Sequence, residues 1–467
     1  MSAMEICEEI AKGPKMEVVT PEILWHGGGL TGGKVERVFS VDMLGDILIT
    51  TGYDGDVPPH GCVRLWSLNN NWKEPEFITQ FNDFDSDVHV ARFSPCGTKL
   101  VTGSTNMIIV YTVKTPQVWS TLNDSENVVE KKRIMKNVSE IYDLCWSPDS
   151  NHILVGYLDK KSFIINVTSG NNEGPELQRH SHYVQGVAWD PKNQLVITQS
   201  ADRSFLAHIL KINPQNQQIK ISQKWSVKTV KKEQLQEITT DSVENNDTSE
   251  QKKNNDTKRY LYADATLPSF FRRPAFSPDG NLLVTPSGLH KDETQTVSSF
   301  ATHIYAKNNL SNPIISLLGF EEPSVAVRFS SRYYEPITSS SDTNSSSIIQ
   351  GVYRMVYAVV TTKTLYVYDT QHAHPILRFG GLHYTNINDV AWSNDGLTLV
   401  CCSSDGYVSL IKFDNDTFGN DITNDVIAAI SELNAQETNS ADDVKTIPSP
   451  TKTEDVKIVD ENVMLQA

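Results

Sequence analysis

One pattern, repeated along the chain, constrains the fold more than any other feature. An apolar run alternates with polar residues, reaches an aromatic, turns at Ser-Pro or Asn/Asp, and resumes as a second apolar run. Clear copies are HVARFSPCGTKLVTGS (89–104), IYDLCWSPDSNHILVGYLD (141–159) and VQGVAWDPKNQLVITQSAD (184–202). RPAFSPDGNLLVTPSG (273–288) and INDVAWSNDGLTLVCCSSDG (387–406) are equally plain, and SVAVRFSS (324–331) resumes at YRMVYAVVT (353–361). A weaker copy, VFSVDMLGDILITTGYDG (38–55) running into CVRLW (62–66), opens the set. The period-two alternation is that of half-buried strands, and the S-P-D-G type tetrads supply Pro and Gly where a tight hairpin needs them.

Self-similarity at about 40 to 50 residues is the mark of propeller arrays. The aromatic markers Phe93, Trp146, Trp189, Phe276, Phe329 and Trp392 are unevenly spaced because extra loop material intervenes at 213–259 and 332–350. With the opening copy, the count is seven. The fold class expected is therefore all-β, a seven-bladed WD40-type β-propeller over residues 17–413. The stretch EVVTPEILWH (17–26) reads as a strand that completes the last blade and removes an open sheet edge. Residues 1–16 read as a flexible N-terminus, 213–259 and 332–350 as mobile insertions, and 414–467 as a disordered acidic tail, with helical apolar spacing at 425–436.

The net charge of −16 is unevenly placed. From Asp414 onward there are twelve acidic residues against three lysines, a net of 3 − 12 = −9. That balance argues against sequence-independent binding to nucleic-acid phosphates and suits a basic partner or a solubilising role. No window approaches the ~18 to 20 apolar residues that span a bilayer, and acidic residues stand where a signal peptide would be basic. Cys7, Cys62, Cys96, Cys145, Cys401 and Cys402 are scattered without metal-ligand spacing. A reducing, intracellular setting is expected, with no metal and no cofactor.

Two constellations invite a functional reading. His182 with Asp202, and His383 with Asp405, stand in the same relation within their blades. A catalytic reading makes them general base and orienting carboxylate; a structural reading makes them the hydrogen-bond network that locks blades together. Recurrence from blade to blade favours the structural reading. No nucleophile elbow, phosphate loop or dinucleotide fingerprint is present, so no catalytic residue is nominated. The second constellation is LPSFFRRPAFSPDG (267–280), whose two Phe and two Arg do not follow in–out alternation. Phe270 and Phe271 could staple the loop to the sheet. Alternatively Phe271, Arg272 and Arg273, with Phe270 beside them, form a recognition surface of aromatic and Arg hot spots.

This segment, with YRMVYAVVTTKTLYVYDTQHAHPI (353–376), GLHYTNINDVAWSNDGLTLVCCSSDGYVSLIKF (381–413) and the opening PEILWH before VERVFSVD, resembles a known family in order across most of 17–413. It is similar to the middle-sized WD40 subunit of chromatin assembly factor one, the replication-coupled histone chaperone. The resemblance implies a non-catalytic scaffold subunit in the nucleus that associates with the large subunit of the complex. It further implies that the complex takes histones of the three–four type and deposits them on newly replicated DNA. In that family a C-terminal Arg-Arg-Ile followed by Thr-Pro adds to the anti-silencing-function chaperone. Here the nearest match is VKTIPSP (444–450), with Lys445 in place of an Arg pair. Ile447 and Pro448 could still anchor a strand-addition contact, and a Ser-Pro modification site is the other reading.

Two alternatives compete. A replication-independent histone regulator also begins with such a propeller, but that family continues into a large second domain whereas this sequence stops at Ala467. A substrate receptor of a ubiquitin ligase would carry Trp-Asp-x-Arg at a blade end, and the ends VRLWSL, IINVTSG and YVYDTQ do not fit.

Overall fold

The computed structural model describes residues 15–429 other than 24, 28–34, 55–59, 70, 106, 123–128, 135–138, 213–218, 231–258, 292–297, 338–348 and 350. Met1–Asp421 form one compact unit and Ile422–Ala467 a second, of which residues 423–429 are a short helix. The first unit is a seven-bladed propeller. Blade one is β2 (Val38–Leu44), β3 (Ile47–Asp54), β4 (His60–Ser67) and β5 (Glu76–Phe84). Blade two is β6 (Val90–Phe93), β7 (Lys99–Gly103), β8 (Ile108–Thr112) and β9 (Glu130–Ile134). Blade three has β10 (Ile141–Trp146), β11 (His152–Tyr157) and β12 (Ser162–Asn166), its outer edge met by backbone N–H groups of Glu173 and Leu177.

Blade four is β13 (Val184–Trp189), β14 (Leu195–Ser200), β15 (Ser204–Ile212) and β16 (Ile219–Val227). A two-stranded ribbon, β17 (Thr229–Val230) and β18 (Arg259–Tyr260), follows it. Blade five is β19 (Ala275–Phe276), β20 (Leu282–His290), β21 (Ser299–Ala306) and β22 (Ile315–Phe320). Blade six is β23 (Ser324–Tyr334), β24 (Arg354–Thr361), β25 (Thr364–Asp369) and β26 (Leu377–Gly380). Blade seven is β27 (Ile387–Trp392), β28 (Thr398–Ser403) and β29 (Val408–Phe413), with β1 (Met16–Val19) as its outermost strand. The innermost strands touch in sequence, β2 to β6, β10, β13, β19, β23 and β27, and β27 returns to β2. The ring is closed.

Turn chemistry sets each blade's first hairpin. In S-P-D-G (277–280) the Ser277 hydroxyl donates to Asp279 and accepts the backbone N–H of Leu282 at 2.9 Å, while Gly280 takes φ 68°. Ser393, Asp395 and Gly396 repeat the arrangement. The middle strands are buried on both faces, as in β11, β14, β24 and β28, where alternation alone suggested half-burial. Neighbouring blades pack face to face, so each sheet lies inside two interblade cores such as that of Trp146, Ile153 and Val101.

The expected N-terminal closure is present but shorter than 17–26: β1 pairs antiparallel with β29 from Met16↔Phe413 to Val19↔Leu410. Beyond it Trp25 is fully buried and joins a core made from blades one and seven. Removing residues 1–19 leaves Val408–Phe413 as an unpaired edge. The expected outcome is a lower melting temperature and greater self-association, read by calorimetry and light scattering.

Three expected boundaries shift. The 213–259 insertion is narrower, because Ile219–Val227 is the outer strand of blade four and the ribbon strands β17 and β18 lie within it. Likewise 332–334 belong to β23, so the sixth-blade excursion begins later than 332. Residues 414–421 are built onto the propeller and are not part of a tail. Phe418 lies in the core of blades six and seven, Glu335 N–H donates to Asn420 O, and Asp421 pairs with Arg332 at 3.0 Å. Lys445, Ile447 and Pro448 lie outside the described residues.

Candidate functional site

The site is built at the centre of the ring, where every blade presents its first strand. Five of these strands begin with a register shift: Val38/Ser40, Ile141/Asp143, Val184/Gly186, Ser324/Ala326 and Ile387/Asp389. A bulge re-aims the side chains on either side of it. The extra residues, among them Phe39, Tyr142, Gln185 and Asn388, mark the strand starts and surround one end of the channel. Ser40, Asp143 and Asp389, the residues that follow, meet in the channel interior.

There they form a buried ion cluster. Asp389 Oδ2 accepts Ser40 Oγ at 2.8 Å and Arg92 Nη2 at 2.7 Å, and lies 3.1 Å from Arg273 Nη1. Arg328 Nη2 approaches its other oxygen at 3.6 Å. Arg273 Nε donates to Asp143 at 3.1 Å, and Asp143 in turn accepts the backbone N–H of Val187 at 3.0 Å. Burial alone would raise the pKa of Asp389, but Arg273, Arg92 and Arg328 outweigh it and hold the carboxyl well below the usual range. Burial of Arg328 acts with the neighbouring Arg92 to lower its pKa. One carboxylate thus ties blades one, two, five and six to blade seven.

The SFFRR segment resolves into this cluster. Phe271, Arg272 and Arg273 are buried, so they do not form the exposed recognition surface considered from sequence. Arg273 stacks its guanidinium 3.7 Å from the centroid of Phe271 and donates to the carbonyls of Asn388 and His89. Arg272 donates to the carbonyls of Ala263 and Asp264, and burial lowers its pKa to about 10. The backbone also bridges blades: Arg272 N–H donates to Gln185 O and Arg273 N–H to Val325 O, both at 2.9 Å. Gly186 permits that approach, since a Cβ there would sit 1.8 Å from Arg272 O.

Phe270 alone of the four remains exposed, at 45%. Its ring lies 6.3 Å from Phe39 and 6.2 Å from Tyr142, so it reaches from blade five across the channel to blades one and three. Tyr183 meets Tyr142 at 6.2 Å, and the Asn386 amide donates to Pro268 O at 3.3 Å, which brings the loop of Tyr384 beside this segment. The channel mouth is an aromatic surface over an ionic plug.

The His–Asp pairs occupy the blades' flanks. In blade four the histidine is His180 and not His182: His180 Nδ1 lies 3.0 Å from Asp202 and Nε2 2.9 Å from Thr198 Oγ1. His182 stacks on Tyr183 instead, two residues further toward the channel. Blade one repeats the network with His26, 2.9 Å from Thr50, which also accepts the Trp66 indole N–H at 3.0 Å. The sequence signal for His26 was its place before the first blade, matching that of His180. His208 takes the register position of Trp66, opposite Val196, and neither of its ring nitrogens has a hydrogen bond. Burial lowers its pKa to about 4.

In blade seven His383 Nδ1 sits 3.3 Å from Asp405, an ion-pair contact without an aligned hydrogen bond, and Nε2 sits 3.1 Å from Ser409 Oγ. Burial opposes the charge on His383, but Asp405 and Cys401 prevail and its pKa rises to about 9. The folded ring therefore binds this proton more tightly than the unfolded chain does. The resulting stability is full below the ordinary value of 6.5 and is lost as pH rises through about 9. Urea midpoints between those limits should fall with pH, and Asp405→Asn should flatten the fall.

His26, Asp54 and Cys62 bring one potential metal ligand each within 4.8 Å of one another. Their atoms are already engaged: His26 Nδ1 lies 3.0 Å from Cys62 Sγ, and Asp54 accepts two N–H groups of Arg64 at 2.9 and 3.1 Å. A guanidinium so placed opposes a dication, and the set serves the blade network better than a metal.

Comparison with known proteins agrees with this architecture. Residues 16–418 match the model of the CAF1B/HIR1 beta-propeller domain. The chain is 31% identical to the chromatin assembly factor 1 subunit FAS2 homolog of Oryza sativa subsp. japonica, over 86% of this chain and 73% of that protein. It is 29% identical to the CAF1B subunit of chromatin assembly factor 1 of Saccharomyces cerevisiae, over 87% of this chain and 88% of that protein. Protein hir-1 of Neurospora crassa is 27% identical over 86% of this chain, which corresponds to 37% of its own length. With the closed ring, its central cluster and a match over nearly all of its described length, the chain belongs to the CAF1B/HIR1 β-propeller family.

Proposed function

We propose that this chain is the non-catalytic WD40 scaffold subunit of a nuclear histone chaperone complex that assembles nucleosomes on newly replicated DNA. The observation that carries the reading is the extent of the likeness to the CAF1B subunits of chromatin assembly factor 1. Those matches cover most of both chains, whereas the HIR1 matches cover little more than a third of theirs. A rigid ring that presents loops at both ends suits assembly of a complex. The acidic balance of the chain suits a complex that handles basic histones. The large subunit of the complex and histones of the three–four type are the proposed partners. A strand-addition contact of Ile447 and Pro448 with the anti-silencing-function chaperone is proposed on sequence alone.

The test is affinity purification of the tagged full chain from nuclear extract at moderate salt, followed by mass spectrometry. The reading expects the large chromatin assembly subunit together with histones. Recovery of a ubiquitin-ligase adaptor, or of a replication-independent histone regulator's partners, without that subunit would overturn it.

A further inference from the structure

The channel mouth carries a feature that scaffold duty does not use. Three aromatic side chains stand out from it: Phe270 at 45%, Tyr183 at 38% and Tyr384 at 95% exposure. Exposed aromatics grouped on one rigid face are costly to leave in water and are the commonest anchors of binding surfaces. Beneath them Tyr142 is buried and holds Phe270 and Tyr183 by edge contacts. The surface is therefore fixed before any partner arrives.

Charge decides what fits. Asp87 and Glu140 lie in the loops that lead into β6 and β10, on either side of His89, with which both interact electrostatically. Each is half-buried, and neither carboxylate has a hydrogen bond or ion pair among the described residues. Burial raises the pKa of Asp87, and the nearby His89 and Arg37 do not offset it. A carboxylate left in that state gains from any cation that reaches it. The Arg273–Asp389 cluster closes the channel below, so a ligand lies across the mouth and does not thread through it.

From this juxtaposition we infer that the channel mouth is a docking site for an extended basic peptide, whose Lys or Arg side chains lie over Phe270, Tyr183 and Tyr384 and reach Asp87 and Glu140. Aromatic faces attract cations through their quadrupoles, and two uncommitted carboxylates add the charge. An acidic or apolar segment would meet the aromatics and leave both carboxylates without a partner. The inference rests on this surface and not on the chromatin reading.

The full chain is titrated by fluorescence anisotropy with a short labelled peptide of alternating lysine and serine, and with its glutamate–serine counterpart. The lysine peptide binds and the glutamate peptide does not. Tyr384→Ala, at a side chain too exposed to affect folding, weakens binding about fivefold, and Glu140→Gln does so by a similar factor. Glu130→Gln, on the exposed outer strand of blade two, leaves affinity unchanged. The inference is overturned if the lysine peptide fails to bind. It is equally overturned if Tyr384→Ala and Glu140→Gln bind like the parent chain, or if Glu130→Gln weakens binding as much as they do, because attraction would then be diffuse.

Discussion

Asp389→Ala lowers the free energy of unfolding by about 3–5 kcal/mol, the range for stripping one partner from a buried ion pair. The loss is large because one carboxylate serves several cations. Arg92 and Arg273 contact it at 2.7 and 3.1 Å, and Arg328 faces it at 3.6 Å. Without it, three buried guanidinium groups share only Asp143 and Asp42. Each of the three comes from a different blade, so their repulsion opens the ring at its narrowest part. Asp389→Asn retains the Ser40 hydrogen bond but not the charge and should fall between the two. Urea unfolding followed by far-UV circular dichroism gives the comparison, with the midpoint as the quantity read. A midpoint for Asp389→Ala within error of the parent would show that the cluster does not hold the ring.

Trp25→Ala is the second large loss, about 3–5 kcal/mol for truncating a fully buried Trp. Trp25 lies edge-on to Trp66 at 4.8 Å, and Arg64 donates to its carbonyl at 2.9 Å. It shares a core with Val41 and Leu48 of blade one and with Val400 and Leu410 of blade seven. This is the seam where the two ends of the chain meet. β1 itself is largely exposed, so the seam is held by ladder hydrogen bonds outside and by Trp25 within. Thermal unfolding of Trp25→Ala beside Phe77→Ala, a half-exposed aromatic on the outer strand of blade one, separates the seam from ordinary aromatic burial. Equal, small shifts for the two would contradict the seam's role.

Much of this ring was legible in the sequence, because a propeller writes its repeat into strands that are short and local. Each aromatic followed by a Ser-Pro or Asn-Asp turn marks the end of an innermost strand, as Trp146, Trp189 and Trp392 do. Outer strands write a weaker signal, since one face meets water. Ile219, Ile221, Trp225 and Val227 alternate with polar residues in β16, but the polar stretch around them hid the period. His180 and His182 have the same parity and differ by one step along the loop, so spacing from Asp202 could not separate them. Only the turn of the chain places His180 against Asp202 and aims His182 at Tyr183.

The SFFRR segment was legible as unusual and illegible as to why. Consecutive bulky and charged residues read equally well as a surface or as a strut. The partners that decide the matter, Asp143, Asn388 and Val325, come from three other blades, more than 50 residues away in the chain. Closure of the ring brings them together, and no local pattern encodes it. The same is true of the mouth, where bulges at Phe39 and Tyr142 bring side chains from distant blades to Phe270.

The central claim is that this ring serves as the scaffold subunit of a replication-linked nucleosome assembly complex. Its most direct test is DNA supercoiling on a replicating plasmid, in an extract depleted of the complex and supplied with histones. Adding back the complex with this chain should restore supercoiling, and adding the other subunits without it should not. Restoration that is equally complete without this chain would contradict the claim.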